Sequence, residues 1–135
     1  DPSVGFVGVP VAALAAAGIP LAFGSGGGAL EPWATMRAAV HHPDPDQRIS
    51  SRAAFAAHTR GGWRGAGHPE VGTLVPGAVA HYAVWEVGDL IVEAPDDRIQ
   101  AWSTDPRSGT PGLPDLRPGA AAPRCLRTVV WGRPV

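Results

Sequence analysis

Short apolar stretches cut by glycine and proline, rather than long amphipathic runs, set the rhythm of this chain. Val11, Leu14 and Ala15 fall on one face of a helix over 10–17, with Ala12 beside them. Pro10 opens that helix with a preset φ, and Gly18 stops it by accepting a left-handed backbone. The uncharged run 19–23, bounded by glycines, predicts a fully buried strand. Glycines 24 and 26–28 then break the chain before a second helix over 32–41, again opened by a proline. Trp33, Met36, Ala39 and Val40 recur on that helix at core spacing, and Pro43 and Pro45 end it.

Ser50 is a suitable N-cap for a third helix over 51–60, which Gly61 and Gly62 are expected to close. Beyond Trp63 the pattern turns to β. Residues 82–87 read as a strand, and 90–93 as a second, paired with the first across Gly88-Asp89 as a hairpin. Residues 94–123, thick with Asp, Pro, Gly and Ser, read mostly as an ordered loop, and 125–131 as a last strand ended by Gly132. Helix, strand, loop and helix in succession form the unit of parallel α/β folds. The fold class is therefore α/β, or α+β for the chain in isolation. It divides into a helix–strand–helix–helix segment, 1–67, and a small β domain, 68–135.

Composition narrows the chemistry. The 135 residues are one domain's worth, well short of the roughly 250 of a closed eight-fold barrel. A net charge of −1 and a pI of 6.6 argue against nucleic acid or an anionic membrane as partner. All 11 basic residues are arginine, which fits a GC-rich genome and excludes lysine Schiff-base chemistry and a carbamylated-lysine metal bridge. Cys125 is the single cysteine, so no internal disulfide forms; a reducing cytoplasm fits, and the thiol is expected to be a small buried hydrophobe. No apolar run reaches the ~18–20 residues of a membrane span. Residues 1–4 lack a charged leader region, so the chain is expected to begin partway through a longer one.

The candidates for chemistry are few. Ser25 in the glycine loop would need a base within reach to act as a nucleophile. Gly26-Gly27-Gly28 could offer amides to an anion or serve as a connector, and no Lys-Ser/Thr follows. His41 and His42 are the adjacent histidine pair. As zinc ligands they would need a third and fourth partner, for which Asp44, Asp46 and His58 are conceivable; as helix-end histidines they need none. His58 reads as a packing or polar surface residue and His68 as a turn residue. The tryptophans (33, 63, 85, 102 and 131) could stack a ligand, but fall in separate elements where core packing explains them.

Several motifs together resemble the carboxyl-terminal part of the metal-dependent amidohydrolase superfamily, in its YtcJ-like branch, amidohydrolase family 3. They are residues 19–25 with Leu30-Glu31-Pro32-Trp33, the stretch 53–67, Gly72-Thr73-Leu74-Val75-Pro76-Gly77 leading to Ala80-His81, and Thr128-Val129-Val130-Trp131-Gly132-Arg133. The resemblance implies one β/α unit of an incomplete TIM-type barrel followed by most of a small β domain. It implies hydrolysis of non-peptide C–N bonds in full-length relatives, with zinc or another divalent metal. The family's metal-binding and proton-accepting aspartate at the end of strand eight corresponds here to Gly26, which can neither ligate nor take a proton. His81 stands where the family has a structural aspartate. The resemblance thus assigns no catalytic and no metal residue to this chain, and implies that it is silent alone. The alternatives are a non-enzymatic module that self-associates through an exposed strand, and a small metalloenzyme built on His41, His42 and a carboxylate.

Overall fold

The computed structural model describes residues 8–92 and 112–135. It is a small mixed structure of helices and antiparallel sheets. Helix α1 spans Val11–Ala16 and closes in a full Schellman motif. Gly18, at φ +74°, donates to the Ala15 carbonyl, and Ile19 donates to the Leu14 carbonyl. Helix α2 spans Pro32–Val40 with proline in its first turn, and α3 spans Ser51–Ala56, where the Ser50 hydroxyl accepts from the Ala53 amide at 3.2 Å.

Two expectations fail together at the next step. Gly61 and Gly62 do not close the third helix. Both keep helical φ, and the chain winds on through a π-helical turn, Ala57–Gly61, into a short helix α4, Gly62–Gly65. Nor is 19–23 a strand. Among the described residues no strand comes alongside it, and Pro20 has no amide to give a ladder. The segment instead lies extended across the π turn. The Phe23 amide donates to the Ala57 carbonyl at 3.1 Å. The Leu21 carbonyl sits so close to Gly61 that a Cβ there would overlap it. A Cβ on Gly65 would come within 3.2 Å of the Ala22 methyl. The glycines are therefore spent on a close approach between helix and extended chain, not on a helix stop.

The core is small. Val11, Met36, Ala38, Ala39 and Ala54 bury against one another, with Trp33, Val40, Leu21 and Phe23 packed around them. Leu116, from the stretch expected to be loop, completes this cluster and so carries the second half of the chain into the core of the first. Of that stretch, 112–123 is described and includes a two-residue strand, Leu113–Pro114; 94–111, with Trp102, lie outside the described residues.

Strand β1, Tyr82–Glu86, pairs antiparallel with β4, Arg124–Val130, which pairs in turn with β5, Arg133–Pro134. Leu126 is the extra residue of a bulge, since Val84 faces Arg127 while Trp85 faces Cys125. The expected hairpin across Gly88-Asp89 is not formed. Strand β2, Leu90–Ile91, pairs with β3, Leu113–Pro114, and β1 takes the seven-residue β4, which offers a longer ladder. The tight hairpin is instead Trp131-Gly132, with φ +53° and +73°, the positive pair that a type I′ turn requires. Trp85 meets Trp33 edge-to-face at 5.6 Å and so joins sheet to helices, a contact worth about 0.5–1.5 kcal/mol beyond its burial.

The close approach at Gly61 generates a paired prediction. Gly61→Ala is expected to lower unfolding stability by about 1–3 kcal/mol or more, because backbone must move to admit the methyl. Gly62→Ala, whose Cβ would meet only the Ala57 carbonyl at 3.9 Å, is expected to be neutral or to gain up to about 1 kcal/mol. Denaturant unfolding of the two variants checks both signs.

Candidate functional site

An open groove of about 840 Å³ runs along 19–23, between α1 and the start of α2. Its walls are apolar, with Leu14, Ile19, Leu21 and Phe23 prominent, and its rim is the glycine loop. Among the described residues Glu31 is the one ionisable side chain that lines it; Ser25 and Thr35 add hydroxyls. The loop is a tight turn in which the Gly28 amide donates to the Ser25 carbonyl at 2.9 Å, while Gly26 and Gly27 hold φ of +58° and +87°. One of the amides available to an anion is thus already used. Among the described residues no histidine lines the groove beside Ser25.

The histidine pair is held by backbone rather than turned to a common centre. His41 Nε2 bonds the Leu116 carbonyl at 3.1 Å. His42 is 3% exposed, and its Nδ1 accepts from the Asp44 amide at 3.0 Å. Asp44 in turn caps the short 3₁₀ turn Pro45–Gln47 by accepting from the Asp46 amide. Among the described residues no group of three or more histidine, cysteine, aspartate or glutamate side chains could hold a metal. The zinc that the family resemblance implies therefore does not fit the donors these residues present, Glu31 alone in the groove and Gly26 at the expected aspartate.

Two histidines have more specific surroundings than the sequence suggested. His58, on the π turn, meets the Phe23 ring edge-to-face at 5.5 Å, and its Nε2 is buried with no hydrogen-bond partner among the described residues. Burial holds its imidazole below the ordinary value. His81 lies between the rings of Trp63, at 4.4 Å, and Trp131, at 4.5 Å. Its Nδ1 accepts the Trp131 amide at 3.3 Å, which ties the positive-φ turn to the residue before β1. His81, where the resemblance expects an aspartate, thus accepts a backbone amide. No periodicity announces either arrangement; the only sequence trace of the π turn is the Gly61-Gly62 pair inside a helical pattern.

Cys125 corrects an expectation: it is exposed, on the outer half of β4, where neighbouring Leu126 is also uncovered. Among the described residues Asp115 and Arg117 form a bidentate pair at the surface, whose hydrogen bonds hold the Asp115 carboxyl below its usual range. No described helix is long and apolar enough to cross a membrane.

A family model described as "Amidohydrolase family" matches residues 5–135. No curated protein and no solved structure matches the chain.

Helix α2 also grips the second half of the chain through its polar side. Arg37 donates from Nε to the Leu116 carbonyl at 3.2 Å and from Nη2 to the Ala120 carbonyl at 3.1 Å. Arg37→Ala is expected to cost about 1–3 kcal/mol, since it strips a charged donor from two part-buried carbonyls. Denaturant unfolding checks the loss, and faster amide exchange at Arg117 and Ala120 locates it.

Proposed function

Since the chain belongs to the amidohydrolase family, we propose that it is the carboxyl-terminal scaffold unit of such a hydrolase: one β/α unit of a TIM-type barrel and most of the small β domain. In this reading 19–23 is the barrel's last strand, waiting for neighbours, and the groove is the wall that the unit contributes to the shared active site. The unit is silent by itself. The observation that carries this is the groove's donor set: among its lining residues one carboxylate, Glu31, stands amid apolar walls, and Gly26 replaces the family's ligating aspartate. Hydrolysis of a C–N bond in this family needs a metal-held water, and a single carboxylate does not supply the three or four ligands that hold one. The chain's own residues would shape and dry one side of a binding site: Leu21 and Phe23 offer surface to an apolar part of an amide substrate, and Ser25 and Thr35 offer hydroxyls.

A second reading, a non-enzymatic module that self-associates, draws on the sheet order. Among the described residues strand β1 has β4 on one side only, and Tyr82 and Val84 on it are exposed. A sizing column run over a range of concentrations tests it. A monomer throughout removes this reading.

For the leading proposal, the purified chain with added zinc is expected to retain less than one metal per molecule after gel filtration. Amide hydrolysis is expected to match the buffer blank with or without chelator. Gly26→Asp alone should change neither result, because one added carboxylate does not complete a ligand set. One tightly held zinc per chain, or turnover that a chelator abolishes, would overturn the proposal.

A further inference from the structure

We propose that the seam between 19–23 and the π turn is an acid-labile clasp worked by His58: the neutral imidazole lets it close, and the imidazolium forces it open. The seam has three points of contact. The Phe23 amide donates to the Ala57 carbonyl, the Leu21 carbonyl presses on Gly61, and the Phe23 ring stands edge-on to His58. All three lie within the π turn, so a movement of the His58 ring acts on the residues that hold 19–23.

His58 is placed so that charging its ring is costly. Its Nε2 is already sealed from solvent with no partner among the described residues. A charged ring would bury an ionic N–H in the same position, which costs far more than a neutral one. Among the described residues the surroundings offer no compensation. Segment 19–23 carries no ionisable side chain. On the helix of His58 itself the charged residues are Arg52, Arg60 and Arg64, all of the wrong sign. The backbone at Gly72 packs on Arg60; in that loop, Glu70 is turned to His68 at 3.6 Å. On α2, Arg37 is engaged with the carbonyls of Leu116 and Ala120, and Glu31 lies at the groove. Burial is accordingly the one cause of the lowered His58 value, with no charge contributing.

The sign follows from linkage. The closed clasp holds fewer protons than the open one, so its stability is complete above the ordinary imidazole value of 6.5 and is lost as pH falls through the lowered value of the closed form. Leu21 and Phe23 also wall the groove, so opening the clasp dissolves that wall. This inference concerns the chain's own packing and stands whether or not the unit serves a hydrolase.

Native-state amide exchange on the full chain tests it, read from about pH 7.5 to about pH 5 and corrected for intrinsic exchange. Protection of the Phe23 amide is expected to fall by up to about tenfold per pH unit below the ordinary imidazole value. Protection of the Val135 amide, bonded to the Thr128 carbonyl of β4, should hold. In His58→Phe the Phe23 protection should be flat across that range. An unchanged Phe23 amide in the unaltered chain, or an equal loss in His58→Phe, overturns the proposal. If the variant does not fold, the His58 Cε1–H resonance of the unaltered chain decides: titration at or above the ordinary imidazole value overturns the clasp, and titration below it supports it.

Discussion

One backbone contact governs the arrangement of this chain: an extended segment laid directly on a helix, carbonyl against glycine. Helices ordinarily meet their neighbours through side chains, at 8–10 Å between axes. Here the Ala57 carbonyl, in the π turn, takes the Phe23 amide, while Gly61 leaves room for the Leu21 carbonyl. An uncharged run that would be buried in a sheet thereby satisfies part of its backbone on a helix. The groove exists because only one side of 19–23 is covered. Its apolar walls are the face for which no neighbouring strand is described.

The helical half was legible because local rules decide it. The Gly18 stop, the Ser50 cap and the prolines at the starts of α1 and α2 act through their own backbone, so spacing alone predicts them. Met36 and Ala39 were placed in the core by the 3.6-residue period, and they are there. The errors fall where long-range competition decides. A glycine pair inside a helix reads the same whether it ends the helix or admits another chain. Residues 19–23 have the composition of a buried strand, yet a strand is defined by its neighbours and not by itself. Gly88-Asp89 has hairpin chemistry, but Arg124–Val130, some forty residues on, offered β1 a longer partner.

The candidate site was legible mainly by subtraction. The family resemblance expects a ligating aspartate where the sequence has Gly26, and among the described residues Glu31 is the one carboxylate lining the groove. What could not be foreseen is the placing of single histidines. His41, His42, His58 and His81 are the same residue type in four settings: one on a carbonyl, one accepting an amide, one with a buried nitrogen that has no partner among the described residues, and one wedged between indoles. Those settings depend on residues between two and some seventy-five positions away, and no pattern of spacing encodes them. The exposure of Cys125 has the same origin, since nothing described covers the outer half of β4.

The perpendicular meeting of Trp33 and Trp85 has a consequence for how the molecule absorbs light. Two indoles with centroids 5.6 Å apart and planes at 90° are close enough for their electronic transitions to couple. Electronic coupling between them gives the near-ultraviolet dichroism a component that belongs to the seam between helices and sheet. The chain therefore carries, without any label, an optical gauge of whether its two halves are docked.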